Sequence, residues 1–200
     1  MQRFHADKRP VRWEEACCHL SPPTAVLDQL PLRPDMTIAD VGCGAGFFTL
    51  PLAERLPCGR VHAVDSDPAL LAAVRARASA AGRRNVTLHR AATGHVAFAR
   101  GSLDAAFLAL TFRRIPIAER ARYLAGLRPL MRPGGWLAIL EWTCRRRPGG
   151  GPPLAARVTP EATCAALLAG GWQAVTVSAA GERLYLVIAR PCRGTDDTPP

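Results

Sequence analysis

A short glycine-rich run, DVGCGAG at residues 40–46, is the part of the chain best suited to hold a ligand. An apolar stretch typical of a buried strand precedes it at residues 36–39, and a helical pattern follows at residues 47–56. Glycines at alternate positions remove the Cβ atoms from a strand-to-helix turn, so a ligand can lie directly against the backbone. The run therefore predicts a small-molecule site.

The spacing of the glycines separates two kinds of nucleoside ligand. A dinucleotide fingerprint reads G-x-G-x-x-G, and its third glycine lets the helix pack closely while the pyrophosphate lies on the helix N-terminus. Phe47 occupies that third position here, which argues against a nicotinamide dinucleotide and an oxidoreductase. A G-x-G-x-G turn preceded by an acid suits a ligand that has a charged amino-acid end and no phosphate. S-adenosylmethionine is such a ligand.

A second acid strengthens this interpretation. The next strand pattern, residues 59–64, ends at Asp65. In a parallel α/β unit this residue lies at the carboxyl end of the neighbouring strand, where its carboxylate can accept hydrogen bonds from both ribose hydroxyls. Charged acceptors form the stronger hydrogen bonds, so one such carboxylate can orient a nucleoside. The glycine turn and Asp65 together predict an S-adenosylmethionine site.

On these residues the chain resembles the class I S-adenosylmethionine-dependent methyltransferases, over roughly residues 20–190. Residues 40–46 resemble the first motif of that family, residues 103–110 its fourth strand, and residues 127–135 the turn before its fifth strand. Residues 151–172 are similar to a bacterial subgroup of methyltransferase-domain proteins related to the quinone-biosynthesis and arsenite methyltransferases. That subgroup has no single substrate.

The resemblance implies which residues hold the cofactor. Asp40 is expected to orient the amino group of the donor and Asp65 to hold its ribose, although both acids could instead cap strand ends. Many relatives bind adenine with an acid after the third strand, and here Thr93 or a backbone amide would have to replace it. The implied cofactor contacts are Asp40, Gly42, Cys43, Gly44, Gly46, Asp65, Ser66, Thr93 and Leu110.

The implied fold is α/β: a single Rossmann-like domain with a mostly parallel seven-stranded sheet, a C-terminal antiparallel hairpin and helices on both faces. Residues 1–20 are expected to form an N-terminal cap, residues 21–190 the cofactor-binding domain, and residues 191–200 a disordered tail. Strand and helix patterns alternate accordingly. We expect helices near residues 21–30, 47–56, 67–82, 117–131 and 159–169, and later strands at 86–90, 103–110, 136–142, 172–177 and 184–189.

Composition is compatible with one domain. A chain of 200 residues that is 48% hydrophobic can bury one sizeable core. The first residues lack the apolar segment of a signal peptide, and no apolar run is long enough for a membrane span, so a cytoplasmic protein is expected. The 7 cysteines form no C-x-x-C pair, and their number is odd. Reduced thiols and no metal site are therefore expected.

The net charge of +10 raises the question of an anionic partner. Arg113-Arg114 follows the fourth strand and Arg145-Arg146-Arg147 the fifth, at the edge of the sheet where ligands bind in this fold class. These arginines could contact an anionic small-molecule substrate or could be solvated surface charge. Glu141 is a further candidate, either as a substrate contact or proton acceptor or as an ordinary charge at a strand end. The dispersal of the other arginines argues against nucleic acid without excluding it.

The expected reaction is an in-line displacement of the sulfonium-bound methyl group by a small-molecule acceptor. Such a reaction depends mainly on positioning, and the sequence predicts no catalytic residue. One alternative is a non-catalytic protein that binds S-adenosylmethionine or S-adenosylhomocysteine, or a scaffold. Another is an RNA methyltransferase, suggested by Thr143-Cys144 if the neighbouring arginines lowered the thiol pKa.

Overall fold

A computed structural model describes residues 22–91, 98–144 and 151–192 of the chain. Four of the predicted features lie outside these residues: the cap at residues 1–20, Thr93, the arginine cluster at residues 145–147, and most of the tail.

The sheet has seven strands in the order β3-β2-β1-β4-β5-β7-β6. Strands β1 to β5 pair in parallel, and β7 pairs antiparallel with both β5 and β6. The predicted mostly parallel sheet with a C-terminal antiparallel hairpin is thus confirmed. The strands are β1 Thr37–Val41, β2 Arg60–Asp65, β3 Val86–Arg90, β4 Leu103–Ala109, β5 Met131–Trp142, β6 Trp172–Ala179 and β7 Leu184–Pro191.

Helices cover both faces of the sheet, so its central strands are buried on both sides. Helices α1, α2 and α3 contribute buried side chains such as Leu27, Leu52 and Val74 to one face. Helices α4 and α5 contribute Leu124 and Leu167 to the other. The helices are α1 Pro23–Leu27, α2 Thr49–Arg55, α3 Pro68–Ala80, α4 Arg120–Leu127 and α5 Pro160–Ala169.

Two helices begin as their sequences predict. The Asp67 carboxylate accepts a hydrogen bond from the Ala69 amide at 2.8 Å at the start of α3. The Thr159 hydroxyl accepts one from the Ala162 amide at 3.1 Å at the start of α5. Each cap precedes a proline in the first turn, which needs no amide partner.

Three boundaries differ from the sequence-based expectation. The first helix ends at Leu27 and has Pro22 at its N-cap, and the second begins at Thr49, after two phenylalanines whose rings pack edge to face. The segment expected as one helix over residues 117–131 is divided into a 3₁₀ turn, helix α4 and a second 3₁₀ turn at residues 128–130, where a proline interrupts the helix.

Strand β5 begins at Met131, five residues before the expected start. The additional residues include the stretch that was predicted as a helix-ending turn. An irregularity between Leu103 and Ala105 shifts the register of β4 and β5, and the Asp104 carboxylate forms an ion pair with Arg132 at 2.6 Å. The register shift and the ion pair accompany the pairing of residues 131–134 with the beginning of β4. The local sequence pattern does not reveal this pairing.

The strand order reverses between β1 and β4. In open α/β sheets ligands bind outside the carboxyl ends of the strands at such a switch point. The glycine run follows β1, and residues 110–115 follow β4, so both lie at this position. Within the described part of the chain, none of the helices has the length and apolar character needed to cross a bilayer.

Candidate cofactor site

Several backbone amides of the glycine turn donate hydrogen bonds to other groups of the protein. The amides of Gly42 and Cys43 both donate to the Val64 carbonyl, at 2.8 and 3.0 Å, and the Gly44 amide donates to the Asp65 carboxylate at 2.9 Å. A pyrophosphate site needs several amides free to point at the anion. The amides of Gly42, Cys43 and Gly44 are therefore not free for a pyrophosphate, in agreement with Phe47 at the third glycine position of the fingerprint.

Two glycines of the turn serve different purposes. Gly42 has a φ of 74°, and a Cβ there would lie 2.3 Å from the Thr111 hydroxyl, so the loop after β4 closes directly over it. Gly44 has a φ of 56°, and a Cβ there would meet no atom within 4 Å. Both positions require backbone conformations that favour glycine. Only Gly44 leaves open space in which a ligand could approach the backbone.

Asp65 is half-buried at the end of β2 and has acceptor capacity left. One carboxylate oxygen accepts the Gly44 amide, and the other accepts the Asp67 amide at 3.0 Å. An ionised carboxylate has about four lone-pair sites, so two sites remain for a diol after these two bonds. The backbone bonds also fix the orientation of the carboxylate. Ser66, the next residue, is exposed.

Asp40 is buried beneath the turn, with 1% of its surface exposed. Its carboxylate accepts a hydrogen bond of 2.6 Å from the Thr49 hydroxyl in α2. Burial raises the pKa of Asp40 from 3.8 to about 7, and the Thr49 bond only partly offsets this rise. The acid can therefore exchange a proton near neutral pH. Sequence reasoning did not identify Thr49 as its partner, because the motif specifies the acid and not the helix residue above it.

Cys43 and Gly46 belong to the turn, and the Cβ direction of each points toward the core. Cys43 packs in a cluster with Leu71 and Val74 of α3, and burial raises the pKa of its thiol. A Cβ on Gly46 would approach the Val74 side chain to 3.2 Å. Close packing against α3 is thus the role that the structure gives to both positions.

Leu110 has a φ of 57°, the one positive value among non-glycine residues in the described ranges. Its amide donates to the Leu140 carbonyl at 2.8 Å, which anchors the residue at the end of β4. A left-handed leucine is strained, and such residues cluster at functional sites. The hydroxyl of the next residue, Thr111, lies within hydrogen-bond distance of the Ala109 and Gly42 carbonyls, at 3.1 and 3.3 Å. The glycine turn after β1 and the loop after β4 are therefore in direct contact.

The three residues predicted as substrate contacts have different environments. Arg114 is exposed. The Arg113 side chain is only 13% exposed, and its guanidinium nitrogen lies 3.9 Å from the Glu141 carboxylate. Glu141 is fully buried and accepts hydrogen bonds from the backbone amides of Arg113 and Trp142, at 2.9 and 3.2 Å. The Glu141 carboxylate is thus enclosed by the protein in this conformation, with both oxygens bonded to backbone amides.

Arg157 contacts both Thr143, directly after β5, and Pro152. Arg157 donates to the carbonyls of Thr143 and Pro152, at 2.8 and 3.0 Å, and lies over the ring of Trp142. Cys144 lies two residues after β5 and is exposed. Partial desolvation nevertheless raises the pKa of its thiol, although Arg157 nearby acts in the opposite direction. The contacts described here do not activate this thiol. The described ranges also contain no group of three side chains suited to a metal ion.

Comparison with known proteins agrees with this geometry. Residues 38–135 match a family described as a methyltransferase domain. A trans-aconitate 2-methyltransferase of Deinococcus radiodurans is 34% identical over 110 residues, which are 55% of this chain and 39% of that protein. A demethylmenaquinone methyltransferase of Thermus thermophilus is 33% identical over 139 residues, 70% of this chain and 56% of that protein. A solved S-adenosylmethionine-dependent methyltransferase from Aquifex aeolicus superposes with a TM-score of 0.82 at 25% identity, covering 90% of this chain and 97% of that one.

The chain belongs to the class I S-adenosylmethionine-dependent methyltransferases. The cofactor of this methyltransferase domain is S-adenosylmethionine, and the residues present fit it: open space at Gly44, unused acceptor sites on Asp65, and amides of Gly42, Cys43 and Gly44 that are already bonded within the protein. The chain spans 39% and 56% of the lengths of the two curated relatives described above.

Proposed function

We propose that this domain transfers a methyl group from S-adenosylmethionine to a small-molecule acceptor. The observation that carries the proposal is the joint geometry at the switch point, where Gly44 and Asp65 share a hydrogen bond of 2.9 Å and open space lies beside Gly44. S-adenosylmethionine supplies a methyl group that is already activated for in-line displacement. The protein then needs chiefly to hold acceptor and donor in line.

Several residues would hold the donor. Asp65 would bind the ribose hydroxyls with its remaining acceptor sites, and Gly44 would allow close approach to the backbone. Asp40 would help to orient the amino group through a hydrogen bond or a bridging water, with its carboxyl only partly ionised near neutral pH because its pKa is about 7. Leu110, with its left-handed backbone, would close the other side of the crevice. Ser66 adjoins Asp65 at the same strand end, where its hydroxyl can contribute a further hydrogen bond.

The acceptor we propose is an anion. Arg114 is exposed beside the crevice loop and can contact a negative group. The Arg113 guanidinium, whose Nε is buried without a hydrogen-bond partner among the described residues, lies in the same loop and adds positive charge to this edge of the sheet.

The described residues at the ends of β4 and β5 offer no accessible carboxylate. Residues 110–115 and 141–144 contain one carboxylate, that of Glu141, and it is buried and bonded to backbone amides. A neutral alcohol or amine would need a group to take its proton. A carboxylate or an acidic phenol is already ionised at neutral pH and needs none. The named relatives act on small molecules, trans-aconitate and demethylmenaquinone.

The test is a transfer assay with methyl-labelled S-adenosylmethionine and a panel of acceptors: dicarboxylates and tricarboxylates, acidic phenols and hydroxyquinones, neutral alcohols, amines, and RNA. We expect label in the ionised oxygen acceptors. Labelling confined to amines, neutral alcohols or RNA would refute the anionic acceptor. Binding of S-adenosylhomocysteine without any transfer would instead indicate a non-catalytic binding protein.

A pair of arginine variants tests the anion contact. Arg114→Ala removes the exposed charge beside the crevice, and Arg122→Ala removes an exposed charge on α4, so the net charge changes equally. We expect Arg114→Ala to raise the acceptor KM about fivefold or more and Arg122→Ala to leave it within about twofold, since a direct charged contact contributes more than a distant one. Equal effects of the two variants would exclude a direct role for Arg114.

A further inference from the structure

The loop after β4, residues 110–115, is bound on several sides by hydrogen bonds. Its amides at Arg114 and Ile115 donate to the Thr111 and Phe112 carbonyls, at 2.9 and 3.1 Å, and form a single 3₁₀ turn. So short a turn is marginal by itself. Contacts from outside the loop must therefore hold it.

Glu141 supplies the contact on the sheet side. One carboxylate oxygen accepts the Arg113 amide at 2.9 Å, and the other accepts the Trp142 amide at 3.2 Å. The side chain has no exposed surface. A buried carboxylate is costly, and it is retained only where hydrogen bonds and an opposite charge compensate for it. Here the compensation comes from the backbone of the loop and from the Arg113 guanidinium.

Arg120 supplies the contact on the helix side. Its guanidinium donates to the carbonyls of Ile115 and Arg113, at 3.1 and 3.5 Å, and lies 5.1 Å from the centre of the Phe112 ring. Arg113 is therefore held by Glu141 at its amide and by Arg120 at its carbonyl. Both charged side chains act on the backbone of one residue, so its position is determined independently of any ligand.

The position of Arg113 affects the cofactor site through Thr111. The Thr111 hydroxyl lies 3.1 Å from the Ala109 carbonyl and 3.3 Å from the Gly42 carbonyl, so it shares one proton between the two, and the Gly42 backbone passes so close that it leaves no room for a Cβ. Movement of the loop therefore changes the shape of the glycine turn. The loop after β4 and the glycine turn after β1 lie on either side of the switch point.

From these contacts we propose that Glu141 is a positioning residue, which acts through the Arg113 amide to fix the β4 loop against the glycine turn in the arrangement that binds the cofactor. This inference rests on the proposed donor site and adds a group that contacts neither donor nor acceptor. It also explains why an acid at the end of β5 is buried although it lies near a crevice.

Amide hydrogen exchange and calorimetric titration with S-adenosylhomocysteine test the inference together. In Glu141→Ala we expect exchange in residues 110–115 to accelerate about tenfold and the dissociation constant of S-adenosylhomocysteine to rise about tenfold, because two buried amides lose their acceptor. Glu141→Gln keeps one acceptor oxygen for the Arg113 amide, but its NH2 group then faces the Trp142 amide, so we expect effects between those of the native protein and Glu141→Ala. If exchange in residues 110–115 is unchanged in Glu141→Ala, the amide contact does not hold the loop and the inference is wrong.

Asp104→Ala is the matched control. The Asp104 carboxylate also accepts a backbone amide, that of Thr37 at 2.7 Å, and also pairs with an arginine, but it lies at the beginning of β4. We expect this variant to lose stability while S-adenosylhomocysteine affinity and exchange in residues 110–115 stay within about twofold. Equal loss of affinity in Asp104→Ala and Glu141→Ala would show that Glu141 contributes only to the general stability of the domain and would overturn the inference. Failure of the native protein to bind S-adenosylhomocysteine would instead refute the donor site itself.

Discussion

Replacement of Asp40 by asparagine should change how the stability of the domain depends on pH. The folded protein raises the pKa of Asp40 from 3.8 to about 7, because the side chain is 1% exposed. Between these two values the unfolded chain releases the Asp40 proton while the folded chain retains it. The folded state then binds more protons, so native stability falls as the pH rises through this range. Asp40→Asn has no proton to release and lacks this contribution.

The size of the effect follows from the pKa values. Each unit of difference corresponds to about 1.4 kcal/mol, so the full contribution of Asp40 is about 4 kcal/mol. Part of it is already lost at about pH 5, and the loss is nearly complete at about pH 8, which leaves a change of about 2 to 3 kcal/mol within that interval.

Urea unfolding of both proteins at several pH values measures the change. The useful quantity is the free energy of unfolding of Asp40→Asn minus that of the native protein, since other titrating groups cancel in the difference. It should rise by about 2 to 3 kcal/mol from about pH 5 to about pH 8. A difference that stays constant across this interval would show that Asp40 is ionised in the folded state, and the argument from burial would be wrong. Thr49→Val provides a second variant: it removes the bond that lowers the pKa of Asp40 and should move the transition to higher pH.

The remaining predictions use the same measurements. Gly44→Ala and Gly82→Ala both place a Cβ on a residue with positive φ and open surroundings, so each should cost about 1 kcal/mol of stability, but only Gly44→Ala should weaken S-adenosylhomocysteine binding; equal affinities would show that no ligand lies against Gly44. The pKa of His62 is lowered to about 4 by burial and by His89, whose ring nitrogen lies 2.8 Å away. The unfolded chain therefore takes up this proton first as the pH falls below 6.5, and native stability should decrease toward pH 4. Because His62 is about half-buried, we expect a loss of only about 1 to 2 kcal/mol. His62→Gln should abolish it in acid unfolding curves, and an unchanged acid limb in this variant would contradict the assignment.

Much of the fold could be predicted from sequence because local signals agree with it. The capped starts of α3 and α5, the alternation of strand and helix, and the hairpin around Gly181 are encoded by neighbouring residues. The early start of β5 could not be predicted. It depends on a register shift against β4 and on an ion pair between Asp104 and Arg132, residues far apart in the chain.

The same distinction applies to the site. The glycine run and Asp65 follow two successive strands of one β-α-β unit that the sequence pattern reveals, and the structure joins them through the bond between Gly44 and Asp65. Three other features depend on contacts between separate elements: the left-handed backbone at Leu110, the packing of Thr111 on Gly42, and the burial of Glu141. Glu141 in particular looks like a crevice residue in the sequence, because strand position alone does not reveal what covers a side chain.

The central claim is that the carboxylate at the end of β2 and the open backbone at Gly44 form a site for the nucleoside of S-adenosylmethionine. Calorimetric titration of S-adenosylhomocysteine into the native protein, Asp65→Ala and Asp67→Ala tests it most directly, since both variants lose a carboxylate that accepts a backbone amide. We expect the native protein to bind, Asp65→Ala to bind at least about tenfold more weakly, and Asp67→Ala to stay within about threefold. Unchanged affinity in Asp65→Ala would contradict the account.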